Sequence, residues 1–168
     1  MMTALDNIRL LLLGCWLGAA IFFSAVVAPS AFAVLRTFGL PNANEIAGTI
    51  VTRNLSVVNT SGFVISLLLL VIALALRQSY TRRTFILQIC LLAIIAITTS
   101  VGEWIIAAKM RNLRAAMHLP IDQVALSDPS RIAFAALHGY SVAALAIGII
   151  AGLIAFFVIA SRTNLMDK

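Results

Sequence analysis

The chain has 168 residues, of which 62% are hydrophobic and only 11% charged. A water-soluble fold of this length cannot hide so much apolar surface in one core, so lipid must be the solvent for most of it. The net charge of +6 resides in short segments between long apolar runs, where Lys and Arg meet lipid phosphates, and no basic face interleaved with aromatics points to nucleic acid.

Four apolar runs cover about 10–35, 55–76, 85–108 and 132–160. Each is at least as long as the roughly 20 residues that a helix needs to cross about 30 Å of hydrocarbon. Inside a bilayer the backbone must satisfy its own hydrogen bonds, and the alternating ten-residue segments of a barrel are absent. The sequence therefore predicts an all-α fold: one domain over 1–168, an integral membrane bundle of four transmembrane helices.

Arg9, an apolar run and Ala31-Phe32-Ala33 imitate a signal peptide with its cleavage site. The run before Pro29 covers about 18 residues, however, longer than a usual apolar region of 7 to 15. Leu12-Leu13-Gly14-Cys15 imitates a lipoprotein box, but more membrane span follows it. The first helix is expected to stay, and Pro29 to kink or end it, because proline lacks an amide hydrogen and crowds the preceding turn. Leu40-Pro41-Asn42 reads as the start of helix two, which then exceeds 30 residues, or about 50 Å. Helix three is expected to run past Lys109 to about Met117, and Asp128-Pro129 reads as an acidic N-cap with proline at the first position of helix four. Helices two to four thus extend beyond the bilayer on the side away from the termini.

Four crossings put both termini on one face. Arg9, Arg77, Arg82, Arg83, Arg162 and Lys168 lie on that face, and Arg36, Arg53, Lys109, Arg111, Arg114 and Arg131 on the other, six against six. The count does not decide orientation. The crowding of Arg77, Arg82 and Arg83 in one short loop favours both termini in the cytoplasm, in the inner membrane of a bacterium. Trp16 and Trp104 lie near opposite ends of their spans, where an interfacial-anchor reading is open to both and preferred for Trp104, and Cys15 and Cys90 read as small apolar packing residues.

Membrane helices approach closely through small residues. Gly14 and Gly18 in helix one, and Gly148 and Gly152 in helix four, form two such pairs, read as contacts within the bundle. Their other use is docking a membrane-protein partner or a second copy. The polar residues within the spans also gather on faces. Helix two carries Thr52, Ser56, Asn59, Gly62 and Ser66, helix three Ala96, Thr99, Ser100 and Glu103, and helix four Arg131, His138 and Ser141. Glu103 lies about 27 Å along helix three from Phe85, and Asn59 about 25 Å from Leu76. Asn59, Glu103 and His138 are therefore expected at one height near the non-terminal face, with Arg53, Arg111 and Arg114 just above and Ser141 in the same candidate network. A carboxylate near hydrocarbon is costly unless paired. That leaves two readings: a buried structural network, or a site for a small solute, an ion or a proton.

Met110, Met117 and His118 offer soft donors but too few for a metal site, so no metal and no cofactor is assigned. No nucleophile with a base at recognisable spacing, Gly-rich phosphate loop or zinc motif is present, and the chain is not expected to be an enzyme.

Trp16-x-Gly18, Phe22-Phe23 and Ala28-Pro29-x-x-Phe32 in helix one, Ala47-Gly48 in helix two, Arg111 and Arg114 at the end of helix three, and Phe134-x-x-x-His138-Gly139-x-Ser141 in helix four together resemble the transmembrane-protein-205-like family. The resemblance implies a small four-helix membrane protein of a family largely described as a domain of unknown function, with a hint of solute or metal handling. Copper-resistance-D-like membrane proteins share the Trp-x-Gly first helix. This chain lacks the richer histidine and methionine set that copper transport asks for. The expectations are thus a handler of a small solute or ion or, alternatively, an accessory subunit bound to other membrane proteins through its small-residue faces, with transport of or resistance to copper or another metal ranked behind both.

Overall fold

The computed structural model describes residues 2–166, with side chains described for 4–161. Arg162 and Lys168, two cations assigned to the terminal face, fall outside those side chains. Four long helices account for almost everything: α1 (Ala4–Thr37), α2 (Ala43–Ala75), α3 (Arg82–Ala116) and α4 (Pro129–Ser161). No strand occurs among the described residues. At 33 to 35 residues each, the helices reach about 50 Å, well beyond about 30 Å of hydrocarbon. Only 28% to 39% of each apolar window is buried inside the bundle. The remainder, including Leu11, Val57, Val71 and Phe157, points outward. Outward-facing leucines and valines on four such lengths are stable only against lipid. The protein is a multi-pass membrane protein.

Local chemistry explains most helix ends. The Asp128 carboxylate accepts the amides of Ser130 at 2.7 Å and Arg131 at 3.4 Å, capping α4 as its sequence predicts. Thr81 caps α3 by accepting the Thr84 amide, after a short 3-10 turn over Arg77–Ser79. Gly39, at φ 62°, supplies the left-handed turn that frees the chain from α1. The α2 helix starts at Ala43, two residues after Pro41, and α3 ends at Ala116, where Met117 leaves helical geometry.

Pro29 does not end α1. Just before it the helix widens into a π-turn over Phe23–Val27, in which the Ala28 amide reaches back five residues to the Phe23 carbonyl. The looser register makes room for the proline ring, and regular helix resumes to Thr37. The first helix is therefore as long as the other three. A second π-turn, Val101–Ile106, interrupts α3, where the Ala107 amide reaches back to Gly102.

Each helix packs on its neighbour in sequence, and α4 closes the ring against α1. Buried residues recur every three or four positions: Leu13, Trp16, Leu17, Ala20 and Phe23 on α1, and Leu145, Gly148, Ala151, Ala155 and Ile159 on α4. Trp16, expected at an interface, is instead 3% exposed at the centre. Its indole nitrogen donates to the Val58 carbonyl at 3.0 Å. An indole needs a hydrogen-bond partner when buried, and here a helix backbone supplies it. Cys15 and Cys90 face outward rather than packing inside.

Candidate functional site

The non-terminal end of the bundle brings α2 and α3 together at Glu103. Its carboxylate accepts the Ser56 hydroxyl at 2.9 Å. One turn deeper, Asn59 is 3% exposed and packs on Gly102, where a Cβ would stand 3.1 Å from the Asn59 amide nitrogen. Glu103 lies inside the second π-turn, which inserts a residue into the helix and so re-aims the side chains around it. Single π-turns of this kind gather at functional sites. The Glu103 side chain is 12% exposed, and Arg111, itself 56% exposed, stands 4.0 Å away. An exposed arginine at that distance is a loose counter-ion worth little to stability. Both contacts use the same carboxylate oxygen, so the second oxygen has no partner among the described residues. Ser56 also lines a shallow lateral groove of about 440 Å³ with Val57, Thr60, Ser61 and Val64. The groove lies on the outward flank of α2, and Ser56 is the residue it shares with the site.

Of the residues expected to converge, Asn59, Glu103 and Arg111 do so, and Ser56, read in the sequence only as part of the polar stripe of helix two, joins them. His138 does not join them: it is exposed and makes no hydrogen bond or ion pair to a described residue. Below it, Ser141 is 7% exposed on the inner face of α4. Above Ser141, the covered side of α4 runs through the half-buried Leu137, Phe134 and Arg131, which rotates His138 outward. Arg53 is likewise exposed, without a partner among the described residues.

Arg114 is engaged elsewhere. Its Nε donates to both oxygens of Glu45 at 2.7 and 2.8 Å, and its Nη1 donates to the carbonyls of Met117 and Leu119, both at 2.9 Å. Glu45 also accepts the Ile121 amide at 3.1 Å, and Asp122 accepts from the Asn44 side chain and the Glu45 amide. Arg36 reaches Asn44 at 3.0 Å. This strap fastens the α3–α4 connection to the start of α2. Glu45 was open to sequence reasoning as an acidic residue in a first helical turn, where the helix dipole favours it.

Three of the four packing glycines make the expected contacts. A Cβ on Gly152 would stand 2.9 Å from Leu17 Cδ2 and 3.0 Å from the Trp16 ring, one on Gly148 2.9 Å from Thr98 Oγ1, and one on Gly14 3.4 Å from Phe156. Gly18 has nothing within 4 Å. The tightest position is Gly62, where a Cβ would meet Trp16 Nε1 at 2.5 Å and Thr99 Cγ2 at 2.9 Å. Trp104, as an anchor should, is 51% exposed and meets Phe63 edge-on at 4.9 Å. No three His, Cys, Asp or Glu side chains cluster among the described residues, and Met117 is buried while His118 faces outward. A second polar cluster, around Arg9 at the terminal face, has no counterpart in the sequence reading.

Among known proteins, a family described as a domain of unknown function (DUF4149) matches residues 11–119. That stretch holds all but the first turns of α1 and the whole of α2 and α3, with Ser56, Asn59, Glu103 and Arg111. No curated protein and no solved structure matches.

Proposed function

Since the chain belongs to the DUF4149 family, whose description names no activity, we propose from its own residues that it handles a small cationic solute or ion, the proton included, at Glu103. One observation carries this reading: a carboxylate at the edge of the hydrocarbon, inside a π-turn, with one oxygen held by Ser56 and the other without a described partner. A carboxylate there is costly, and the contacts around it leave half of its bonding capacity available. Arg111 neutralises it loosely enough to be displaced by an incoming cation. The resemblance to the transmembrane-protein-205-like family, with its hint of solute handling, points the same way. No catalytic role is part of the proposal. A helical bundle fits a bacterial inner membrane better than an outer membrane built of barrels, and the arginine-dense α2–α3 loop favours termini in the cytoplasm.

The test uses purified protein in liposomes loaded with a pH-sensitive dye, with a potassium diffusion potential to drive protons, and with tetraphenylphosphonium as an organic cation. Flux of one of these above the protein-free level is expected. Glu103→Gln is expected to lower it about tenfold, the low end for losing a bond to a charged group, with helical content unchanged. Flux at the protein-free level for both, or equal flux in wild type and variant, would sink the idea.

A second reading, an accessory subunit, draws on Gly18. It alone of the four expected packing glycines touches nothing, which leaves a face of α1 on which another helix fits. A strictly monomeric protein in native-lipid particles, with no co-purifying partner, removes this alternative.

A further inference from the structure

Charge is distributed unevenly over the non-terminal end of the bundle, where six cations meet four carboxylates. All four carboxylates are engaged: Glu45 and Asp122 in the strap, Asp128 in the α4 cap, and Glu103 with Ser56 and Arg111. Arg36, Arg114 and Arg131 are likewise taken, by Asn44, Glu45 and the Val124 carbonyl. Lys109 is exposed and makes no hydrogen bond or ion pair to a described residue. The side-chain amide of Asn112, one turn further along α3, is in the same position. The opposite end of the bundle gives the contrast. There the fully buried Arg9 donates to Asp6 Oδ1 at 3.0 Å, to the Tyr80 hydroxyl and to Gln88 Oε1 at 3.1 Å.

Lys109 and Asn112 share an open groove of about 360 Å³ with Leu113 of α3 and Leu137 of α4. Helix register brings the two walls level. Gly148 packs on Thr98, and Lys109 lies as far beyond Thr98 on α3 as Leu137 lies before Gly148 on the antiparallel α4. Both leucines are half-buried and form the apolar walls, while the ammonium and the amide stand exposed beside them. Glu103 reaches Ser56 on α2, whereas this groove opens between α3 and α4. The two are separate sites on one helix.

Height selects the ligand. The exposed Trp104 marks the edge of the hydrocarbon on α3. Lys109 stands five residues further out, or about 7.5 Å, and each headgroup layer is about 5 to 8 Å thick. Side chains lean toward the start of their helix, which on α3 is toward the bilayer. The unpaired ammonium therefore sits among lipid phosphates. We propose that this groove binds an anionic phospholipid. Its phosphate accepts from the Lys109 ammonium and the Asn112 amide, and its glycerol backbone and first acyl methylenes lie against Leu113 and Leu137. A zwitterionic lipid brings a cation of its own toward Lys109, and a free phosphate leaves the leucines uncovered. A net negative head on an apolar body satisfies both halves of the groove.

The experiment is native mass spectrometry of the full chain in a mild non-ionic detergent, with phosphatidylglycerol and phosphatidylcholine of matched acyl chains in equal amounts. The first lipid adduct of the wild type is expected to favour phosphatidylglycerol about fivefold, the worth of one lysine at an anionic surface. Lys109→Gln should bring that ratio close to one. Arg53→Gln removes another exposed cation of the same face that has no described partner, and should leave the ratio unchanged. Both side chains are exposed and without described bonds, so neither substitution endangers the fold. No preference in the wild type, or an equal loss in both variants, would overturn the site in favour of none or of diffuse surface charge. Glycerol phosphate binding as readily as phosphatidylglycerol would overturn it in favour of a plain anion site.

Discussion

Trp16 hands its indole N–H to the Val58 carbonyl at the one level of α2 where Gly62 leaves room for the ring. Val58 and Gly62 are four residues apart, so the carbonyl that receives the indole is one turn from the glycine that admits it. The same ring packs closely on Gly152 of α4 and lies beside Gly148. A single side chain of α1 thus sets how closely α2 and α4 approach. With little hydrophobic drive between helices in lipid, such packing and hydrogen bonding are what hold the bundle together.

Gly62→Ala places a methyl group 2.5 Å from the indole nitrogen and 2.9 Å from Thr99, and neither neighbour can withdraw without breaking other contacts. Overpacking of this sort costs about 1 to 3 kcal/mol. Gly18→Ala, with nothing within 4 Å, is expected to leave monomer stability within about 0.5 kcal/mol of wild type. Thermal unfolding of the two variants in the same detergent compares them directly, and equal midpoints would refute the central role of Trp16.

Removing one member of the Asp6–Arg9 pair strands the other. Arg9→Met leaves a carboxylate that is 2% exposed with no cation, and the expected loss is about 3 to 5 kcal/mol. The double variant Asp6→Leu/Arg9→Met removes both charges and should recover most of that loss. A double-mutant cycle on denaturant unfolding measures the coupling. Additive losses would show that the pair is not coupled as its geometry requires.

At the other face, Arg114 grips Glu45 with its Nε and two loop carbonyls with its Nη1. Arg114→Lys keeps the charge but loses the planar fork, so it cannot hold the helix start and the loop together. Global stability is expected to fall by only about 1 kcal/mol, since the pair is a quarter exposed. The readout is local: limited proteolysis should cut the variant within 117–128 markedly faster than wild type. Identical cleavage rates would mean that the loop is held by something else.

Which parts of this were legible in the sequence follows from the range of the interactions involved. The Asp128-Pro129 start and the four apolar lengths depend on neighbouring residues and on hydropathy, and both can be read directly. Asn59 and Glu103 are brought to one height by helix rise alone, which is also local arithmetic. Pro29 is different, because a π-turn before a proline is one of two answers to the same clash, and only the packing of α1 chooses between them. Arg9 reads as one more solvated cation near a helix end. Its burial depends on Gln88 and Tyr80, 79 and 71 residues away. The available hint is the Asp6–Arg9 spacing of three, which puts both charges on one helix face. Trp16 misleads for the same reason: tryptophan marks interfaces on average, but a glycine facing it at position 62 makes this one central.

Orientation is open to direct measurement. With Cys15 and Cys90 replaced, single cysteines at exposed Gln78 and Ala125 lie on opposite faces. If the arginine-dense α2–α3 loop is cytoplasmic, a membrane-impermeant thiol reagent should label position 125 in intact cells, and position 78 only after lysis. The reverse pattern would place the termini outside.

The last distinction lies between two residues that the sequence groups and the structure separates. Ser56 donates to Glu103 at 2.9 Å, whereas His138 faces away from it. If a cation is handled at Glu103, Ser56→Ala frees the carboxylate oxygen that Ser56 holds and alters flux in the liposome assay, by roughly threefold to tenfold for a bond worth about 0.5 to 1.5 kcal/mol. His138→Ala should leave both flux and stability at wild-type levels, because it removes no hydrogen bond or ion pair to a described residue and the side chain is exposed. Loss of flux in the His138 variant with Ser56→Ala silent would reverse the assignment. The solute's path would then run along the outer face of α4, not between α2 and α3.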